Sequence, residues 1–293
     1  SGLVIADVLP HLGGERGRKP LNEAVPGETL NLLVGSRPIG DSEDKDRVKL
    51  HVMKRLHDKY GITESDFASA ELEAVPAAEA VDIGIDGSMI GSYGHDDRVC
   101  GYAALRALLD IETPDKTAVC VLADKEEIGS MGVTGMQSAA FDAFMSDLCD
   151  GQNVPLKACF ENAFCLSADV TAAYDPNFAD VYEKKNAAFV NYGVGICKYT
   201  GARGKSGSSD ANAETVAYVR AVLDGAGVRW QICELGKIDA GGGGTVAQYM
   251  ANRNIATLDA GVPVLSMHAP FEVVAKVDCY EMYRACKALY EAR

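Results

Sequence analysis

The chain has 293 residues, 47% of them hydrophobic and 24% charged, which supplies apolar surface for one large or two ordinary domains and excludes disorder as its main character. With 28 Lys and Arg against 42 Asp and Glu the formal charge is -14, so phosphate backbones and anionic lipid are repelled except at a concentrated basic patch. The dense basic cluster is Arg16, Arg18 and Lys19, and no nucleic-acid or membrane partner is expected.

No apolar run approaches the roughly 20 residues of a bilayer span, and the N-terminus lacks the charged-then-apolar pattern of a signal peptide. The nine cysteines are odd in number, scattered and without a CxxC pair, the usage of reduced thiols. These features predict a cytoplasmic chain.

In chain order, the first 45 residues alternate turn signals such as Gly13-Gly14, Lys19-Pro20 and Pro26-Gly27 with short apolar runs such as Leu30 to Val34, a pattern of irregular β structure. Val48, Val52, Met53 and Leu56 recur at helical spacing between Arg47 and Tyr60, with Gly61 as the stop. Ala68 to Val75 and Val81 to Ile85 read as short strands, and the Gly-rich passage from Gly87 to Gly94 marks a boundary between residues 1–86 and 87–293. Beyond it, helices are predicted over Val99 to Asp110, Met136 to Cys149, Asp210 to Leu223 and Lys276 to Ala292. Strands are predicted over Ala118 to Ala123, Ala163 to Ala168, Val228 to Leu235, Ile255 to Leu258 and Val262 to His268. This alternation points to an α/β layer fold with a mixed, largely parallel sheet.

Ligands in open α/β sheets collect beyond the carboxyl ends of strands, so polar residues that follow apolar runs are the candidates for chemistry. Four strings qualify: His95-Asp96-Asp97-Arg98, Asp124-Lys125-Glu126-Glu127-Ile128-Gly129-Ser130, Ser167-Ala168-Asp169 and Met267-His268-Ala269-Pro270. Carboxylate and imidazole form the ligand set of hydrolytic zinc sites, and a two-metal site needs one carboxylate that bridges ions roughly 3.5 to 4 Å apart. Asp96, just before a helix, is the candidate bridge. Glu126 and Glu127 are neighbours whose side chains diverge, so one can bind metal while the other faces the water. For each residue alone, a helix cap or a solvated loop charge is the competing account.

In this order and spacing the four strings resemble the M18 family of metalloaminopeptidases, the aspartyl aminopeptidase group, and the similarity runs from about Leu9 to the C-terminus. The resemblance implies a zinc-peptidase α/β/α sandwich beside a β-rich dimerisation domain, residues 1–86, with assembly into dimers and dodecamers. It implies that Asp96 bridges two zinc ions, that Glu127 and His268 complete one site, that Asp169 serves the other, and that Glu126 is the general base. Removal of an N-terminal residue from peptides, in all expectation an acidic one, is the implied activity, with Lys198 at a substrate-facing position. The Gly241 to Thr245 loop, with Gly243 at its middle, can offer backbone N–H groups to a substrate carboxylate; the Lys-Ser/Thr that would make it a phosphate loop is absent.

The family also takes a histidine from an early His-x-Asp motif, for which this sequence has no counterpart in context among its five histidines. The expectation is either the C-terminal part of a longer enzyme or a shortened homologue, with independent activity in doubt. The competing functional class is a non-catalytic assembly or binding homologue, which metal content separates from the enzyme.

Overall fold

The structure, a computed structural model, describes residues 2–40, 45–203 and 205–292. Its contacts divide the chain into two compact units, Ser1–Ala77 and Ala78–Arg293. The division falls nine residues before the predicted one because Val81–Ile83 pairs antiparallel with Met89–Ser92, which fixes it to the second unit.

In the first unit, β1 (Val4–Ile5) pairs antiparallel with β2 (Leu32–Leu33), and the one-turn helix α1 (Leu21–Ala24) lies between them in sequence. Helix α2 (Arg47–Tyr60) has the predicted bounds and ends on Gly61, which at φ 73° occupies the left-handed region and donates its N–H to the His57 carbonyl at 2.8 Å. The β-rich expectation for this unit is not met. Single 3-10 turns replace most of the predicted strands, since Pro10, Pro20, Pro26 and Pro38 interrupt any ladder. Ala68 to Val75 likewise forms no strand. None of the unit's described residues is buried.

The second unit carries β3 (Val81–Ile83), β4 (Met89–Ser92), α3 (His95–Leu109), α4 (Ala140–Gln152), α5 (Leu156–Glu161), β5 (Phe164–Ala168), β6 (Thr171–Ala172), β7 (Val194–Cys197), β8 (Tyr199–Ala202), β9 (Ser206–Asp210), α6 (Ala213–Gly225), β10 (Trp230–Ile232), α7 (Ala247–Ala251), β11 (Ala256–Gly261), β12 (Pro263–Leu265), β13 (Glu272–Ala275) and α8 (Lys276–Glu291). One sheet runs β10-β7-β11-β5, a second runs β3-β4-β13-β12-β6, and β8-β9 is a separate ribbon. The sheets are mixed. Pairs β10-β7, β11-β5 and β12-β6 are parallel, while β7-β11, β3-β4, β4-β13 and β12-β13 are antiparallel. Two of the antiparallel pairs, β3-β4 and β12-β13, are joined by short loops, and such loops connect antiparallel neighbours.

The main core joins Val194 and Ile196 of β7, Leu258 of β11, Val219 and Leu223 of α6, and Met282 and Ala285 of α8 to Ala103 and Ala107 of α3. Burying a side chain such as Leu258 contributes roughly 1.5–3 kcal/mol, so strand ends in this unit are held on a rigid base. Helix α6 begins where Asn212 accepts the Thr215 N–H at 2.8 Å, a side-chain cap that moves its start past the predicted Asp210. Ala118 to Ala123 forms no ladder, and only Asp124 bridges to Gly135.

Candidate metal centre

Three loops that leave strand ends, and one short turn, bring the predicted residues together. Asp96 and Asp97 sit at the start of α3 but have non-helical backbone angles and are joined by a cis peptide bond. Beside them, His95 Nε2 donates to the Ile90 carbonyl at 3.1 Å. Glu126 and Glu127 lie on the single 3-10 turn Glu126–Ile128, enclosed by Lys125 (φ 61°) and Gly129 (φ 98°) in the left-handed region. Asp169 follows β5, where a Cβ on Gly261 of neighbouring β11 would stand 1.7 Å from the Asp169 carbonyl oxygen. Only glycine allows that approach. His268 lies in the loop between β12 and β13.

The resulting geometry has two groups that share one residue. His268 Nε2 stands 3.0 Å from Asp96 Oδ2 and 3.1 Å from Glu127 Oε1, and donor atoms of these three residues lie within 4.8 Å of one another. Donor atoms of Asp96, Asp97 and Asp169 form a second group within the same limit. Asp97 was not among the predicted ligands. No pattern in the sequence marks it, because neighbours on a helix diverge and the non-helical backbone of Asp96 and Asp97 shows only in the structure.

Electrostatics distinguish this cluster from solvated loop charges. Burial, and then the Glu127 charge, raise Asp96 to about 6. Burial is the main cause that raises Asp97 to about 8, with Asp96 adding to it, and burial together with the Asp97 charge holds Asp169 well above the usual carboxylate range. Glu126 is raised by burial first and by Glu127 and Asp96 next. Asp97 Oδ1 is buried without a hydrogen-bond partner, a costly arrangement unless a cation or proton serves it. Several carboxylates, one imidazole and an orphaned buried oxygen together fit a divalent metal.

Lys198 and Gly243 lie elsewhere. Lys198 pairs with Asp210, with Glu234 close enough to feel both charges; burial raises Glu234 to about 7. The Gly243 carbonyl accepts the Gly201 N–H at 2.8 Å, which seats the tetraglycine loop on β8. The adjoining cleft is lined by Tyr199, Gly201, Glu234 and Gly241 to Gly243. The Gly-rich segment Gly201 to Ser209, which follows Lys198 in sequence, includes Gly204, which lies outside the described residues.

Residues 3–290 match the sequence model of the family described as Aminopeptidase I zinc metalloprotease (M18). The chain belongs to the M18 family. It is 47% identical over 281 residues to the probable M18 family aminopeptidase 1 of Clostridium acetobutylicum, an alignment that covers 94% of this chain and 60% of that protein. The crystal structure of the M18 aminopeptidase from Thermotoga maritima superposes with a TM-score of 0.93 at 44% identity, covering 99% of this chain and 64% of the other. The Saccharomyces cerevisiae mApe1 dodecamer shares the fold at 21% identity, with a TM-score of 0.69, over 90% of this chain and 60% of that one. The chain thus spans about 60% to 64% of the length of these M18 relatives. Among the described residues no helix is long and apolar enough to cross a membrane.

Proposed function

We propose that the chain carries the metal centre of a zinc-dependent aminopeptidase that removes N-terminal residues from peptides. The observation that carries this reading is the sharing of Asp96 between two ligand groups, the arrangement that a two-ion site demands. Asp96, Glu127 and His268 would hold one ion, and Asp96, Asp169 and the newly found Asp97 the other. Zinc bound there supplies a polarised water and a Lewis acid for the scissile carbonyl.

The chain's own residues would do the rest. Glu126, as carboxylate, takes a proton from the attacking water as the new C–O bond forms, then gives it to the amine as the C–N bond breaks. Its pKa is raised, first by burial and next by Glu127 and Asp96, the direction that favours a group which must both take and return a proton. One group contains no imidazole, so turnover by this chain alone should be weak. A preference for acidic first residues would rest on Lys198, released from Asp210 when a substrate carboxylate takes its place, with Gly243 and its loop neighbours donating N–H groups.

The first unit exposes apolar side chains, among them Leu12 at 77% and Leu21 at 90%, which supports a dimerisation role and assembly of the kind seen in the mApe1 dodecamer. The thiol-rich composition supports a cytoplasmic setting. The test is hydrolysis of the p-nitroanilides of Asp, Glu and Leu with zinc supplied. It should use this chain alone and the chain extended with the remaining segment of the Clostridium acetobutylicum relative. Silence on all three in both forms removes the peptidase reading, and a chain that binds no zinc leaves only an assembly role.

A further inference from the structure

We propose that Glu272 is a positioning residue whose carboxylate clamps the backbones of Asp96 and His268 and so sets the spacing of the ligands they carry. The inference deepens the metal reading above and rests on it. Glu272 opens β13, is 2% exposed, and stands opposite Ser92 of β4 in register. Its Oε2 accepts the Asp96 N–H at 3.0 Å, 176 residues away in sequence, and its Oε1 accepts the His268 N–H at 2.8 Å. One planar group therefore ties the loop that leaves β4 to the loop that leaves β12. The residues it ties are the two whose side chains meet at 3.0 Å.

The His268 loop needs such a tie. Ser266 and His268 have φ of 59° and 64°, in the left-handed region that side chains with a Cβ disfavour. The His268 side chain is 62% exposed, so packing does not hold it. A buried carboxylate with each oxygen on a different backbone N–H holds both the strained conformation and the distance to Asp96. Glutamine in this place keeps the volume but has one acceptor oxygen, and its NH₂ faces a second donor.

The experiment is titration with zinc alone, read by calorimetry or a competing chromophoric chelator, on the wild-type chain, Glu272→Gln and Val274→Ala. Val274 lies on the same face of β13, is 0% exposed, and belongs to the core. Glu272→Gln should keep the wild-type circular dichroism spectrum and bind zinc about 10- to 100-fold more weakly. Val274→Ala should melt earlier while its affinity stays unchanged, which separates positioning from general stability. Wild-type affinity in folded Glu272→Gln overturns the proposal, whereas failure of the wild-type chain to bind zinc overturns the metal reading instead. If Glu272→Gln does not fold, hydrogen exchange in the wild-type chain decides: the Asp96 and His268 amides should be protected, and exchange of His268 at the rate of an open loop rejects the clamp.

Discussion

The two side-chain groups that share Asp96 differ in how their charge is balanced. The outer group, Asp96 with Glu127 and His268, sets an imidazole against two carboxylates, and Glu127 and His268 are 59% and 62% exposed. Water can stabilise it without an ion. The inner group, Asp96 with Asp97 and Asp169, has three carboxylates and no cation, in surroundings where burial is the main force on all three. Three neighbouring, partly buried carboxylates resist being ionised together, so the inner group favours protons or a metal. The comparison teaches that one carboxylate can belong both to a group balanced by its own imidazole and to a group whose charge only a proton or a cation relieves.

The sharpest way to break this comparison is Asp96→Ala, which removes the shared ligand. Metal content after dialysis should fall from roughly two ions per chain to none; a variant that keeps both ions would show that the groups do not depend on Asp96. Glu126→Gln should lower kcat by about 10²- to 10⁴-fold while both ions stay bound. Retained turnover would reject Glu126 as the base.

Separating the groups gives smaller effects of opposite kinds. His268→Ala should cost the outer ion and leave metal-free stability nearly unchanged, because its side chain is exposed. Asp169→Asn should cost the inner ion yet stabilise the metal-free chain at pH 8 by about 1 kcal/mol, since it relieves a buried repulsion. Urea titrations with a chelator present measure both. A loss of stability in Asp169→Asn would mean that the inner carboxylates are held by unseen partners rather than crowded.

The same crowding fixes the pH dependence. Folding raises Asp96 from 3.8 to about 6 and Asp97 to about 8, so between pH 4 and 8 the folded, metal-free chain binds more protons than the unfolded one. Stability then falls as pH rises through that window. Asp110 and Asp124 are held below 3.8 by hydrogen bonds led by Tyr283 and Thr134, and their opposite effect lies at lower pH. With zinc the trend should reverse, because binding needs deprotonated carboxylates. Melting temperatures at pH 4, 6 and 8, with and without zinc, check the sign.

Much of the site was legible in the strings that follow apolar runs, because strand ends are where an α/β fold gathers ligands. Asp96, Glu127 and His268 meet as those strings suggest. Asp97 was missed because a residue next to a ligand on a helix points away from it, and the sequence does not reveal that Asp96 and Asp97 leave helical geometry. Glu272 was hidden for another reason. Its partners are backbone N–H groups, which every residue except proline has, so no side-chain pattern marks it. Ala118 to Ala123 has the composition of a strand, but a strand exists only with a partner ladder, and composition does not supply one.

The smallest expected effect concerns Lys198, which lies outside both groups. Its pair with Asp210 is 44% and 59% exposed, and exposed pairs contribute little to folding. Lys198→Ala should therefore leave stability and zinc stoichiometry unchanged. If the lysine instead meets the first side chain of a substrate, the ratio of kcat/KM for Asp- over Leu-p-nitroanilide should fall about tenfold, the worth of one charge-assisted contact of about 1.4 kcal/mol. An unchanged ratio would return Lys198 to Asp210 alone.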